Sequence, residues 1–97
     1  MSVEISAWAM RVTIPDSKTH VLDKLFLIMA ADSAGRDGGV LLWSEAERAS
    51  HVLAIAKQIN IPLSECESSF DRLLRDEYFK RKEVEDFGLA YVVNLAK

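Results

Sequence analysis

Cysteine, proline, glycine and any surplus of positive charge are all scarce in this chain of 97 residues. Cys66 is the one cysteine, which excludes an intramolecular disulfide and fits a reducing, cytoplasmic compartment. The formal charge is -3 and the pI about 5.3. On average, then, the chain lacks the basic footprint of a freestanding nucleic-acid binder, and local patches must supply any such role. Long apolar runs are missing too. The longest, Leu25 to Ala31, falls far short of the roughly 20 residues that cross a bilayer. The start, Met1-Ser2-Val3-Glu4-Ile5-Ser6, lacks the basic-then-apolar order of a signal peptide, so neither export nor membrane insertion is expected.

An apolar fraction of 49% over this length suits one small core, and residues 1–97 are expected to form a single domain of α+β class. Trp8, Met10, Val12 and Ile14 share one parity, which predicts a short N-terminal strand or extended arm ended by Pro15. Asp16 or Ser17 is expected to cap a first helix running to about Ala31, whose apolar residues cover more than one stripe. Asp32 to Gly39 is dense in turn formers, and Val40-Leu41-Leu42-Trp43 then suits a short strand. Ser44 with Glu47 forms an S-x-x-E capping box for a second helix reaching Ile59, with Asn60 as its stop and Ala46, Ala49, Val52, Leu53 and Ala56 as its buried face. Ser64 with Glu67 repeats the box for a third helix. Its stripe is Cys66, Phe70, Leu73 and Leu74, leaving Glu65, Ser68, Ser69, Arg72 and Arg75 outward. Tyr78 to Val84 and Leu89 to Leu95 read as a β-hairpin turning at Glu85-Asp86-Phe87-Gly88, with Gly88 supplying positive φ.

Enzyme chemistry finds little support in these residues. His20, His51 and Cys66 lie on three different predicted elements without metal-ligand spacing, so no metal and no cofactor are expected. Gly35, Gly38 and Gly39 lack the Gly-Lys-Ser/Thr ending of a phosphate loop. Glu65/Glu67 and Glu85/Asp86 lack an apolar pocket that would tune one carboxyl as an acid.

Two binding readings remain. For nucleic acid, Arg72, Arg75, Lys80, Arg81 and Lys82 form the best basic cluster, with Ser68 and Ser69 as base-edge candidates. Against it, Leu63 to Glu77 holds five acids and two bases, a net of -3, while Tyr78 to Lys97 nets +1 from four bases and three acids. For a protein partner, the acidic third helix offers Glu65, Glu67 and Asp71 to a basic surface or as a mimic of nucleic-acid charge, with Phe87 as an exposed anchor. Lys80 and Lys82 also suit the solvent face of an edge strand.

Several residues together resemble the winged helix-turn-helix domains of phage and plasmid replication and regulatory proteins. They are Trp8, Leu25-x-x-Ile28-Met29-Ala30-x-x-Ser33-Ala34-x-x-x-Gly38, Trp43-Ser44, Ala54-x-x-x-x-Ile59-x-Ile61 and Leu73-Leu74. The resemblance implies an N-terminal strand, three main helices and a C-terminal hairpin wing, with contact to double-stranded DNA through the helix after the turn. The leading expectation is a small non-enzymatic DNA-binding regulatory protein, possible as a homodimer and of phage or mobile-element type. Its alternative is a protein-interaction module with a basic partner.

Overall fold

The structure, a computed structural model, describes residues 3–33, 43–86 and 88–97. Its elements are α1 (Val3–Arg11), α2 (His20–Asp32), α3 (Arg48–Ile59), α4 (Leu63–Arg75), β1 (Phe79–Val84) and β2 (Gly88–Val93). The architecture is α+β, with four helices and one two-stranded antiparallel hairpin among the described residues.

The N-terminal segment is a helix and not the expected strand. Ile5, Trp8 and Ala9 are buried and Val12 packs against the core, which is the i, i+3, i+4, i+7 spacing of a helical face. Met10, part of the alternating parity, points to solvent. Lys24 of α2 donates to the carbonyls of Met10 and Val12, satisfying acceptors that the end of α1 leaves open.

Helix α2 begins at His20, later than expected, because Ser17 is used in a local turn where its hydroxyl accepts from the Thr19 amide at 3.2 Å. Only half of the Ser44–Glu47 box forms: the Glu47 amide donates to Ser44 Oγ at 3.2 Å and the Glu47 carboxylate accepts from the Ser44 hydroxyl at 3.0 Å, closing a turn ahead of α3, which begins at Arg48 and not at Ser44. The buried face of α3 is Val52, Ile55 and Ala56, with Ile59 half-buried. Ala46, Ala49 and Leu53 are exposed, contrary to expectation, because the larger Ile55 and Ile59 rotate the apolar stripe toward themselves. Trp43 is buried outside any strand, and the rest of the strand expected at 40–43 lies outside the described residues.

Asn60 adopts left-handed φ 57 and stops α3, as expected, while the Ile61 amide bonds the Ala56 carbonyl at 3.1 Å. The second capping box does not form. Pro62, extended at φ -54 and ψ 141, holds the N-cap position, so Ser64 already lies inside α4. At the other end of α4, Glu77 takes φ 66, and the Tyr78 and Glu77 amides bond the Leu73 and Leu74 carbonyls, a Schellman closure without glycine.

The hairpin pairs Phe79 with Val93 through Val84 with Gly88. Gly88, at φ 97, starts β2 and does not sit within the turn. Phe87, the expected tip anchor, lies outside the described residues. Phe70 of α4 is the hub of the core: its ring lies 5.0 Å from Tyr91, 5.1 Å from Phe79, 5.8 Å from Trp43 and 6.0 Å from Phe26. One residue thus joins α2, α4, the hairpin and the segment before α3, and each edge contact adds to simple area burial.

Candidate functional site

The residues expected to contact DNA fall on α4 and β1, and the fold divides them into three groups. Ser69 and Arg72 belong to the packing between α2 and α4. Ser69 is fully buried and donates to Asp23 Oδ1 at 2.7 Å, so it is no base-edge reader. Arg72 grips the same carboxylate with both arms of its fork, Nε to Oδ2 at 3.0 Å and Nη2 to Oδ1 at 2.7 Å. Thr19 adds a longer bond to Oδ2 at 3.3 Å. Asp23 is only 4% exposed, so burial of its charge depends on these donors. The hydrogen bonds to Asp23 hold the Arg72 guanidinium above its ordinary pKa.

Arg75 and Arg81 are exposed but engaged. Arg75 closes a two-armed contact on Asp76 at 3.0 and 3.1 Å, which raises the arginine and pulls the Asp76 carboxyl below its ordinary pKa. Arg81 lies over the Tyr91 ring at 5.6 Å with Nη2 3.9 Å from Glu45. Glu45 also accepts from the Tyr91 hydroxyl, the largest cause of its lowered pKa. Ser68, Lys80 and Lys82 remain exposed. Neither lysine has an ion-pair partner among the described residues, and the two alternate with Arg81 along β1, on one face of the hairpin.

The residues of the protein-docking alternative lie better for contact. Glu65 and Glu67 are exposed on α4 and have no ion pair among the described residues. Asp71 is held by Arg48, whose guanidinium also sits 4.7 Å over Phe70. The outward surface of α4 therefore presents Ser64, Glu65, Glu67, Ser68 and a neutralised Asp71.

Asp23, Glu45 and Arg48 escaped the sequence reading. Asp23 had a usable signal, because it lies on the same helical stripe as Phe26, Leu27 and Ala30, where a lone acid demands a partner. His20, His51 and Cys66 each sit in separate surroundings. His20 Nδ1 is 2.6 Å from the Ser17 carbonyl, and His51 stacks on Trp43 at 5.0 Å. Cys66 is buried, which pushes its thiol up. Among the described residues no group of three or more His, Cys, Asp or Glu could hold a metal ion, and no helix is long and apolar enough to cross a membrane. No family model, curated protein or solved structure matches the chain.

Proposed function

We propose that the chain is a winged helix-turn-helix domain that works as a non-enzymatic protein-interaction module, docking through the acidic outward face of α4 on a basic partner. Four helices followed by a hairpin, with α3 and α4 joined by Asn60-Ile61-Pro62, are compatible with that architecture. One observation carries the functional reading: every arginine of the expected nucleic-acid face is already occupied by a carboxylate of the same chain. Arg72 binds Asp23, Arg75 binds Asp76 and Arg81 lies beside Glu45. A phosphate approaching this face would have to displace those partners, while Glu65 and Glu67 repel it.

The second reading is the DNA-binding regulator, and Lys80 with Lys82 favours it. Neither has an ion-pair partner among the described residues, and they share one face of β1, the strand that this reading takes as the phosphate-contacting edge of the wing. Val21 and Leu25, exposed one turn apart on α2, offer an apolar surface for the homodimer that such a regulator uses to double its contacts.

The readings separate in one titration series on the intact chain, followed by amide NMR shifts, with random duplex DNA and with decalysine as a stand-in for a basic surface. Protein docking predicts that decalysine shifts the amides of residues 64–71, that Glu65→Gln/Glu67→Gln abolishes those shifts, and that DNA binding is weak. With only two lysines engaged, log K for DNA should fall against log salt with a slope of about -2. Binding tighter than about 1 μM near 0.15 M salt, with shifts on α4, overturns the protein reading in favour of DNA.

A further inference from the structure

We infer that the outer edge of β1 is a strand-addition site for an extended acidic segment of a partner protein, one carrying carboxylates at alternate positions. The inference uses no residue of α4 and stands apart from the docking reading above.

Exposure identifies the open edge. Lys80, Arg81, Lys82 and Glu83 are all exposed, whereas Ala90 to Val93 of β2 are all buried, so β1 is the outer strand of the hairpin. The phase of the ladder follows from one bond, the Asn94 amide to the Tyr78 carbonyl at 2.9 Å. In an antiparallel pair mutual bonding recurs every second residue, so Lys80 with Val92 and Lys82 with Ala90 bond each other. The amides and carbonyls of Arg81 and Glu83 consequently point away from β2. They have no backbone partner among the described residues.

Charge selects the occupant. Lys80 and Lys82 share one face, two residues apart, and neither is paired among the described residues. An added strand with Asp or Glu at every second position sets a carboxylate directly across from each lysine, at a Cβ separation of about 5 Å. A second copy of the chain is disfavoured, because registers centred on Arg81 or Lys82 oppose lysine to lysine. Lysines on an edge normally deter unselective pairing. An acidic strand is the one class for which this deterrent becomes an attraction, and the main chain then supplies the hydrogen bonds. Duplex DNA would use the same lysines and its phosphates could accept from an outward amide, but its backbone has no donor for the outward carbonyls.

The test is residue-resolved hydrogen exchange on the intact, isotopically labelled chain, with a blocked peptide of five Thr-Glu repeats as the probe. Strand addition predicts an alternating result. The Arg81 and Glu83 amides, fast in the free chain, slow by about tenfold or more at saturation, while the Lys80 and Lys82 amides, already in the ladder, are unchanged. Replacing Glu83 by proline removes one outward amide and leaves the β2 ladder protected. It should weaken the peptide by about tenfold, the loss of one backbone hydrogen bond. Lys80→Glu/Lys82→Glu should lose the Thr-Glu peptide and gain a Thr-Lys one. The inference is overturned by peptide binding without protection of Arg81 and Glu83, by absence of binding at millimolar peptide in low salt, by outward amides already protected in the free chain, or by unchanged affinity in Glu83→Pro. Duplex DNA displacing the peptide at lower concentration than the peptide's own Kd also overturns it.

Discussion

Replacing Asp23 with alanine tests the joint between α2 and α4 most directly. The carboxylate is 4% exposed and accepts from Ser69, Thr19 and both arms of Arg72. Its removal strands the fully buried Ser69 hydroxyl, an unsatisfied group worth about 1–3 kcal/mol. It also breaks an ion pair of the kind whose loss costs about 3–5 kcal/mol when both partners are fully buried. The Arg72 side chain retains 26% exposure, so water recovers part of that second cost. The expected total is about 3 kcal/mol, or a fall in Tm of roughly 15 °C for a domain of this size. Arg72→Ala should cost about as much, because it leaves the carboxylate with only two hydroxyl donors. The two losses overlap, and the double variant should show a coupling of about 2 kcal/mol. Asp23→Asn/Arg72→Met, which removes both charges and leaves an amide oxygen to accept from Ser69, should cost less than either single alanine variant by about 1 kcal/mol or more. Urea denaturation followed by fluorescence of the buried Trp8 and Trp43 measures each value, with m unchanged. A loss below about 1 kcal/mol in Asp23→Ala, or coupling below about 0.5 kcal/mol, refutes the reasoning.

Three further outcomes follow from other sites. Glu77 holds φ 66 without being glycine, so Glu77→Gly should stabilise by about 1 kcal/mol, while Asn60→Gly at φ 57 should be nearly neutral because asparagine tolerates that region; equal effects in urea denaturation would contradict the assignment. Tyr91→Phe removes the largest cause of the lowered Glu45 pKa. A carboxyl depressed in the folded state contributes stability above its ordinary value of 4.5 and loses it as pH falls. The stability gap between Tyr91→Phe and the parent should therefore be widest near neutral pH and narrow below 4.5, and a gap unchanged between pH 7 and pH 3 argues against the Glu45 contact. Cys66, buried and with a raised thiol pKa, should react with a thiol reagent only at the rate of unfolding, so fast modification of the native chain contradicts its burial.

Much of the fold was legible because its signals are local. The hairpin declared itself through a basic extended run, an apolar run and Gly88, and Asn60 announced the stop of α3. The N-terminal helix was misread because Trp8 and Val12 satisfy period two and period 3.6 alike, and only Ile5 and Ala9 break the tie. Both capping boxes had the right residues. One closed a turn short of its helix, and the other was pre-empted by the fixed φ of Pro62. The interaction surface was harder, because a basic residue in sequence says nothing of whether an acid 49 positions away will meet it. Arg72 looked like a phosphate contact until the fold placed it against Asp23. The warning was Asp23 itself, an acid on an apolar stripe.

The carboxylates that occupy Arg48, Arg75 and Arg81 are mostly exposed, and they hold those arginines only while ionised. Their contacts pull the Asp76 and Glu45 carboxyls down, so both stay ionised below the isoelectric point of about 5.3, where the chain as a whole has already turned positive. The release of Arg75 and Arg81 therefore comes later than the change in net charge. On heparin or phosphocellulose the chain would begin to adhere through its net charge in mildly acidic buffer, and through the released arginines only at lower pH, once those carboxylates are protonated. Retention on such resins reports the buffer as much as the protein, and the parent's affinity for polyanions is meaningful only when measured with its internal carboxylates charged.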